Sequence, residues 1–332
     1  MKKPFFSVFI PVYNCGTTIS ETLQSVFNQT FINFEVIISD NNSTDNTLSI
    51  IKKFKDKRLI IRKNKTNIGY NGNLNNSLKL CHSDNIFILA GDDLIDTQTL
   101  EWYFQAFKKY PKAGAITRPY YWFDNDYKYP VRAKATTKTK HDLQVTIKSS
   151  FGKILLVLSS LDQCSGLCFK RNFTKEKFSN EIWVSHAYPW LDIFKKHPVI
   201  FLKNYPLAVR IGQSATRTNI YQKSPMEYWK NMINYIFKEN SYKLLRERII
   251  SEFVGVNYVG LVQIRNYGTF NYYLREIKNL ILFRKKNLLN PKFYLWVMLT
   301  LFTPPFILRK LSDYFKSHIN HQIISPSIII KL

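Results

Sequence analysis

Cysteine is scarce in this 332-residue chain: Cys15, Cys81, Cys164 and Cys168 are the whole supply. Four are too few for a disulfide framework at this length. Cys164 and Cys168 stand four apart, but no second Cys/His pair with zinc spacing accompanies them. We therefore expect four reduced, structural thiols in a reducing compartment. Acidic side chains are also few, 23 Asp+Glu against 48 Lys+Arg, for a formal net charge of +25. Long apolar runs are missing too. The uncharged stretch Phe293 to Leu308 is shorter than the roughly 20 residues that span a bilayer, and Pro304-Pro305 interrupts it. The apolar residues after Met1-Lys2-Lys3 are broken by Pro11 and Asn14 and lack a small-residue cleavage site, so they read as a buried strand and not a signal peptide. No GxxxxGK[ST] loop, no GxGxxG after the first strand and no HExxH occurs, and no GxSxG elbow supports a serine hydrolase.

Hydrophobic residues make up 45% of the chain, as in a folded protein. Asn, Lys, Ile, Phe and Tyr are abundant, as in bacteria with AT-rich genomes. The positive charge is uneven. Residues 1–120 carry 15 Lys/Arg and 10 Asp/Glu (net +5), and the remainder carries 33 and 13 (net +20). A basic surface attracts nucleic acid, anionic lipid or a phosphorylated substrate. No helix-turn-helix, zinc-finger or RNA-recognition signature is present and the aromatics mostly fall at core-like spacing, so nucleic acid is not expected as a partner.

The first third alternates strand-like and helix-like stretches. Strands are predicted at Phe5 to Val12, Phe34 to Ser39, Arg58 to Arg62, Ile86 to Ala90 and Ala115 to Thr117. Helices are predicted between them, the first with Ile19, Leu23, Val26 and Phe27 on one face. This rhythm predicts an α/β fold with a mainly parallel, Rossmann-like sheet and flanking helices. In such sheets ligands bind at the carboxyl ends of strands. Residues 124–142, polar and Thr-rich, read as a mobile loop. From Pro225 onward the pattern is helical. Residues 275–310 hold eight Lys/Arg against Glu276 alone. With Tyr294 and Trp296 in an apolar patch, this segment is expected to anchor at a membrane surface; the competing reading is a core-packing helix.

Four polar clusters follow predicted strand ends. In Pro11-Val12-Tyr13-Asn14, Tyr13 can stack on a flat base and Pro11 can set the turn, though such turns are common. In Asp40-Asn41-Asn42-Ser43-Thr44-Asp45, Asp40 suits a base imide or ribose hydroxyl, while Asp45 serves equally to cap the next helix. Asn67-Ile68-Gly69-Tyr70 is a tight turn near the same edge, readable as turn alone or as part of a site. Ala90-Gly91-Asp92-Asp93 puts two carboxylates after an apolar strand. That is costly unless they are solvated or neutralised by a cation, and a hard divalent ion is the natural partner.

In order and spacing these clusters resemble glycosyltransferase family 2, of the GT-A fold. The matching stretches are FSVFIPVYN, EVIISDNNSTDNT, NIGYNGN and FILAGDDLI, within a resemblance covering roughly residues 4–215. It implies an inverting transferase that uses a nucleotide-sugar donor, with a UDP-sugar expected. Donor contacts then fall on Pro11, Tyr13, Asn14, Asp40, Asn67, Gly69, Gly91 and Asp92. Mn²⁺ or Mg²⁺ falls on Asp92 and Asp93, with Ala90 standing where the family's first DxD aspartate would be. Ser165, Gly166 and Trp190 fall on the acceptor side. Asp192 falls on the catalytic base, with Leu191 in place of the acidic residue before it, and Arg210 and Arg217 fall on a loop over the diphosphate. The expected domains are residues 1–220 (nucleotide half 1–120, acceptor half 121–220) and a basic helical region, 221–332. A glycan on a polyprenyl diphosphate, or lipopolysaccharide, is the expected acceptor, met at the inner face of the cell membrane by a cytoplasmic, peripheral protein. A catalytically inactive scaffold of the same fold is the alternative.

Overall fold

The computed structural model describes residues 3–134, 139–181, 184–211, 224–318 and 328–332. The chain divides into two compact units, residues 1–212 with 320–332, and residues 213–319. The first unit is discontinuous in sequence, so a single cut at residue 220 does not describe it.

The strands of the first unit are β1 (Phe6–Val12), β2 (Phe34–Asp40), β3 (Leu59–Lys63), β4 (Asn85–Ile88), β5 (Leu94–Ile95), β6 (Ala115–Thr117), β7 (Tyr120–Phe123), β8 (Arg132–Lys134), β9 (Leu143–Val145), β10 (Cys168–Lys170), β11 (Val199–Phe201) and β12 (Leu207–Arg210). The large sheet runs β3-β2-β1-β4-β10-β6-β11-β9, and a smaller one runs β5-β12-β7-β8. β3, β2, β1 and β4 are parallel, while β10 lies antiparallel between β4 and β6. Every residue of β2 and all but one of β1 are buried, because helices cover both faces of a parallel sheet. β3 is half-buried, as the sheet's edge. The helix Ile19–Phe27 turns Ile19, Leu23 and Val26 onto the sheet, where they meet Val8, Ile10, Val36 and Ile38 in the main core.

Register brings the chemistry together. Val12 pairs with Asp40, and Phe9 with Ile88, so the ends of β1, β2 and β4 open to one side. β1 continues to β2 on one flank and is joined by β4 on the other, which makes a switch point where parallel sheets form a crevice.

One expectation changes. Arg132–Lys134, read as loop, pairs antiparallel with Tyr120–Trp122, and Leu143–Val145 pairs with β11; residues 135–138 lie outside the described residues. Local sequence is poor in strand formers there, and the partner strands supply the order. Further on, Val199–Phe201 and Leu207–Arg210 are two short strands, one in each sheet.

The second unit is helical: Pro225–Ile236, Lys243–Ile249, Val259–Tyr267, Phe270–Phe283, Pro291–Phe302 and Pro305–His318. Ser224, Thr269 and Asn290 cap three of these helices by accepting backbone N–H bonds. Glu276 is fully buried here and makes no hydrogen bond of good geometry among the described residues. Burial pushes its carboxyl up to about 7, against smaller opposing effects from Ser224 and the Met226 amide. Among the described residues no helix is long and apolar enough to cross a membrane.

Candidate active site

The first wall of the site is the β1–β2 rim. Asp40 ends β2 fully buried; its Oδ1 accepts from the Ser43 N–H at 2.9 Å and from the Ser43 hydroxyl at 2.5 Å. Its Oδ2 is buried with no hydrogen-bond partner among the described residues. A carboxylate oxygen so placed is costly unless a ligand donates to it. Tyr13, just past Val12, is 47% exposed. Asn14, at φ 53°, holds the neighbouring loop: its Oδ1 accepts from Thr44 N–H at 2.9 Å, and its own N–H donates to Ser43 Oγ at 3.0 Å. Asn41 ties in the third cluster. Its Nδ2 donates to Asn67 Oδ1 at 2.8 Å and to the Gly69 carbonyl at 3.2 Å. Asp45 does act locally, accepting from Thr47 N–H at 3.0 Å, and it also accepts from Gly16 N–H at 2.9 Å. Pro11 lies within β1, half-buried.

The second wall is the turn after β4. Asp93 is buried inward: Oδ2 accepts from the Ser165 hydroxyl at 2.5 Å and Oδ1 from the Arg210 N–H at 3.0 Å. Ser165 Oγ in turn accepts from the Ala90 N–H at 2.8 Å. Burial raises the Asp93 carboxyl, and the charge of Asp92 raises it further. Asp92 is half-buried and also raised by burial, with the Arg210 cation opposing. Arg210 Nε donates to the Asp92 carbonyl at 3.1 Å, Nη2 pairs with Glu21, and the guanidinium lies 4.6 Å from the Phe123 ring centre. Gly91 is required here, since a Cβ would sit 2.9 Å from Val12 Cγ1.

The third wall is the loop 160–166. Arg118, directly after β6, is fully buried and donates to the carbonyls of Ser160 (2.8 Å), Gln163 (3.0 Å) and Ser165. Among the described residues no carboxylate is hydrogen-bonded to it. The cation therefore orders a loop through neutral dipoles, and its charge reaches Asp93 and His186. Gly166 has φ +74°, and a Cβ on it would lie 2.7 Å from Arg118 Nε. The Tyr70 hydroxyl and the Cys164 thiol are both raised by burial, and both feel the charge of Asp92. His186, at the amino end of the helix Ala187–Lys196, is buried with Nε2 at 2.7 Å from the Leu161 carbonyl. A carbonyl only accepts, so Nε2 carries the proton and Nδ1 the lone pair. Burial, with the Arg118 cation, holds the imidazole below its ordinary value and hence neutral.

Residues 7–169 match the family described as glycosyl transferase family 2. The chain carries a family 2 glycosyltransferase domain. The glucosyltransferase WfaP of Escherichia coli, described as acting between UDP-Glc and α-D-GlcNAc-diphosphoundecaprenol, is 44% identical over 87 residues, 26% of this chain and 35% of that protein. The matched stretch is thus about a third of that relative's length. The crystal structure of Staphylococcus aureus TarS residues 1–349 with UDP superposes with TM-score 0.64 at 18% identity, covering 94% of this chain and 91% of that one. The Pyrobaculum calidifontis mannosyltransferase PcManGT, solved with GDP-Man and Mn²⁺, gives TM-score 0.57 at 14% identity over 95% and 88%. The fold is accordingly GT-A.

Within this family 2 domain, two expected site residues fall elsewhere. Asp192 sits near the carboxyl end of its helix, where Oδ2 accepts from Thr174 at 2.8 Å and Oδ1 from Lys196 at 3.0 Å. Thr174 follows β10, whose Lys170 pairs with Asn85 at the start of β4, so Asp192 lies at the opposite end of the sheet from Asp92. The physical reason is helix direction: six residues after His186 the chain has travelled about 9 Å along the axis. Trp190 is fully buried against β6, a core residue and not an acceptor-side one. Ser165 and Gly166 are brought to the site, as the support of Asp93 and Arg118. Arg217 lies outside the described residues.

Among the described residues no three His, Cys, Asp or Glu side chains converge as a metal-binding group. Asp93 spends both oxygens internally, which leaves Asp92 as the carboxylate of the turn that opens outward. One raised carboxylate fits an ion held mainly by a bound diphosphate, and does not fit a cage built by protein alone. Arg118, Cys164 and His186 were not singled out by motif, and Tyr70 was marked only as part of the Asn67–Tyr70 turn. An Arg directly after an apolar strand is the signal that marks Arg118; His186 offers no signal before the helix direction is known.

Proposed function

We propose that this chain transfers a sugar from a nucleoside-diphosphate donor, a UDP-sugar, to a hydroxyl of a lipid-linked or polymeric glycan with inversion at the anomeric carbon. The unpartnered, fully buried Oδ2 of Asp40 beside exposed Tyr13 carries the reading. A uracil offers an imide N–H to the first and a flat face to the second. The relative WfaP is named for UDP-Glc, and the similar TarS crystal structure contains UDP. The acceptor half of the reading rests on the diphosphoundecaprenol named for that relative and on the +20 net charge after residue 120.

In this scheme Asn14, Asn41, Asn67 and Gly69 shape the nucleoside wall. Asp92 would hold Mn²⁺ or Mg²⁺, which supplies positive charge to the departing diphosphate. Arg210, fixed by Glu21 and the Asp92 carbonyl, turns its cation to the same charge. His186 replaces Asp192 as the base: Nδ1 takes the proton of the attacking hydroxyl, whose oxygen forms the new bond to the anomeric carbon as the bond to diphosphate breaks. Arg118 positions the loop that pins the His186 tautomer.

Thermal unfolding with UDP, GDP, dTDP and CMP, with and without Mn²⁺, tests the donor class. Ligand that binds only the folded state raises the midpoint. A rise with UDP, larger with Mn²⁺, is expected; no rise with any nucleotide would remove the reading. Donor binding without turnover on any acceptor would point instead to an inactive scaffold of the same fold.

A further inference from the structure

The helix Pro291–Phe302 is apolar around most of its circumference, yet only Phe293 and Thr300 are buried. Leu295, Met298 and Phe302, spaced to share one face, are 68%, 52% and 70% exposed. Leu288 and Leu289 before it, and Phe306, Ile307, Leu311 and Tyr314 after the Thr303–Pro304 turn, are exposed as well. Exposed apolar side chains in such density mark an interaction surface. Lys285, Lys286, Lys292, Arg309 and Lys310 are exposed among them, with Asp313 the one acidic residue of the stretch 285–314.

We propose that this face of the helical unit docks on an anionic lipid surface, lying in the interface plane. Charge complementarity selects this occupant. A two-fold contact with a second copy would set each patch of cations against its own likeness, whereas an anionic headgroup layer neutralises them above an apolar phase that accepts Leu295, Phe302 and Phe306. Length excludes insertion across the bilayer: the Pro291–Phe302 helix has 12 residues, and the helix after it 14, against the roughly 20 a span requires. This assignment is independent of the sugar chemistry.

The test is co-sedimentation of the full chain with phosphatidylcholine vesicles, with and without 30% phosphatidylglycerol. Binding to the anionic vesicles is expected, weakening with salt. Leu295→Glu with Phe302→Glu should reduce partitioning by about 100-fold or more. Replacing Lys285, Lys286, Lys292 and Lys310 with Gln should cost about five-fold per cation and flatten the salt dependence. Both sets lie at exposed positions, and an unchanged unfolding midpoint verifies folding. No sedimentation at low salt, or sedimentation that ignores both sets, overturns the proposal. So does a dimer in solution that Leu295→Glu/Phe302→Glu converts to monomer while wild type leaves vesicles in the supernatant; that result assigns the face to a second copy.

Discussion

Replacing His186 with Gln, alongside Asp192 with Asn, separates the two ends of one helix. Gln keeps an N–H near the Leu161 carbonyl, which accepts from His186 at 2.7 Å, but has no lone pair of imidazole basicity. General-base catalysis typically contributes 10²–10⁴-fold, so kcat should fall by about that factor while the UDP dissociation constant stays within about two-fold. Asp192→Asn changes a group committed to Thr174 and Lys196. Loss of that i,i+4 pair costs about 1 kcal/mol or less of stability and should leave kcat unchanged. The assay is steady-state transfer with donor affinity measured separately by calorimetry. The pH dependence adds a second readout. Burial depresses the His186 value, so its proton goes on only below the ordinary 6.5; the acid limb of kcat should lie below that pH and vanish in His186→Gln. If Asp192→Asn loses 10² in kcat with donor binding intact, or His186→Gln keeps turnover, the assignment made from helix direction is wrong.

Three further outcomes are expected. Glu276 is fully buried with its carboxyl raised from 4.5 to about 7; a raised acid contributes its penalty as pH climbs, so stability should be unaffected below pH 4.5, fall between 4.5 and 7, and stay low above. Glu276→Gln should remove that fall, gaining up to about 3 kcal/mol at pH 8 by urea unfolding, and equal stabilities at pH 4 and pH 8 would contradict the account. Asp40→Asn keeps an acceptor for Ser43 but presents an N–H toward the base, and UDP affinity should drop about 10–100-fold by calorimetry with little change in midpoint. Gly166→Ala, with φ +74° and a Cβ 2.7 Å from Arg118 Nε, should lower stability by about 1–3 kcal/mol and reduce turnover together; a neutral effect on both would show that the 160–166 loop tolerates displacement.

Much of the first unit was legible because its signals are local. β1 and β2 were visible as short apolar runs, since strands buried on both faces need little else. Asp40, Tyr13 and Asp92 announced themselves as polar residues directly after such runs, and the register Val12 to Asp40 then set the first two side by side. β8 and β9 were not legible, because residues such as Arg132, Lys134 and Gln144 are ordered by the strands they pair with.

Residue order alone carried the alternation of strand and helix, the family 2 domain, and the carboxylates at the carboxyl ends of β2 and β4. Packing, and not residue order, set the placement of each polar residue nearby. Asp93 turned inward to Ser165 while Asp92 stayed half open, Arg118 became a buried cation held by carbonyls, and the helix Ala187–Lys196 set His186 against the Leu161 carbonyl and Asp192 against Thr174. Spacing along a chain records which residues share a helix face, but which end of that helix meets the site depends on the direction in which it packs against the sheet.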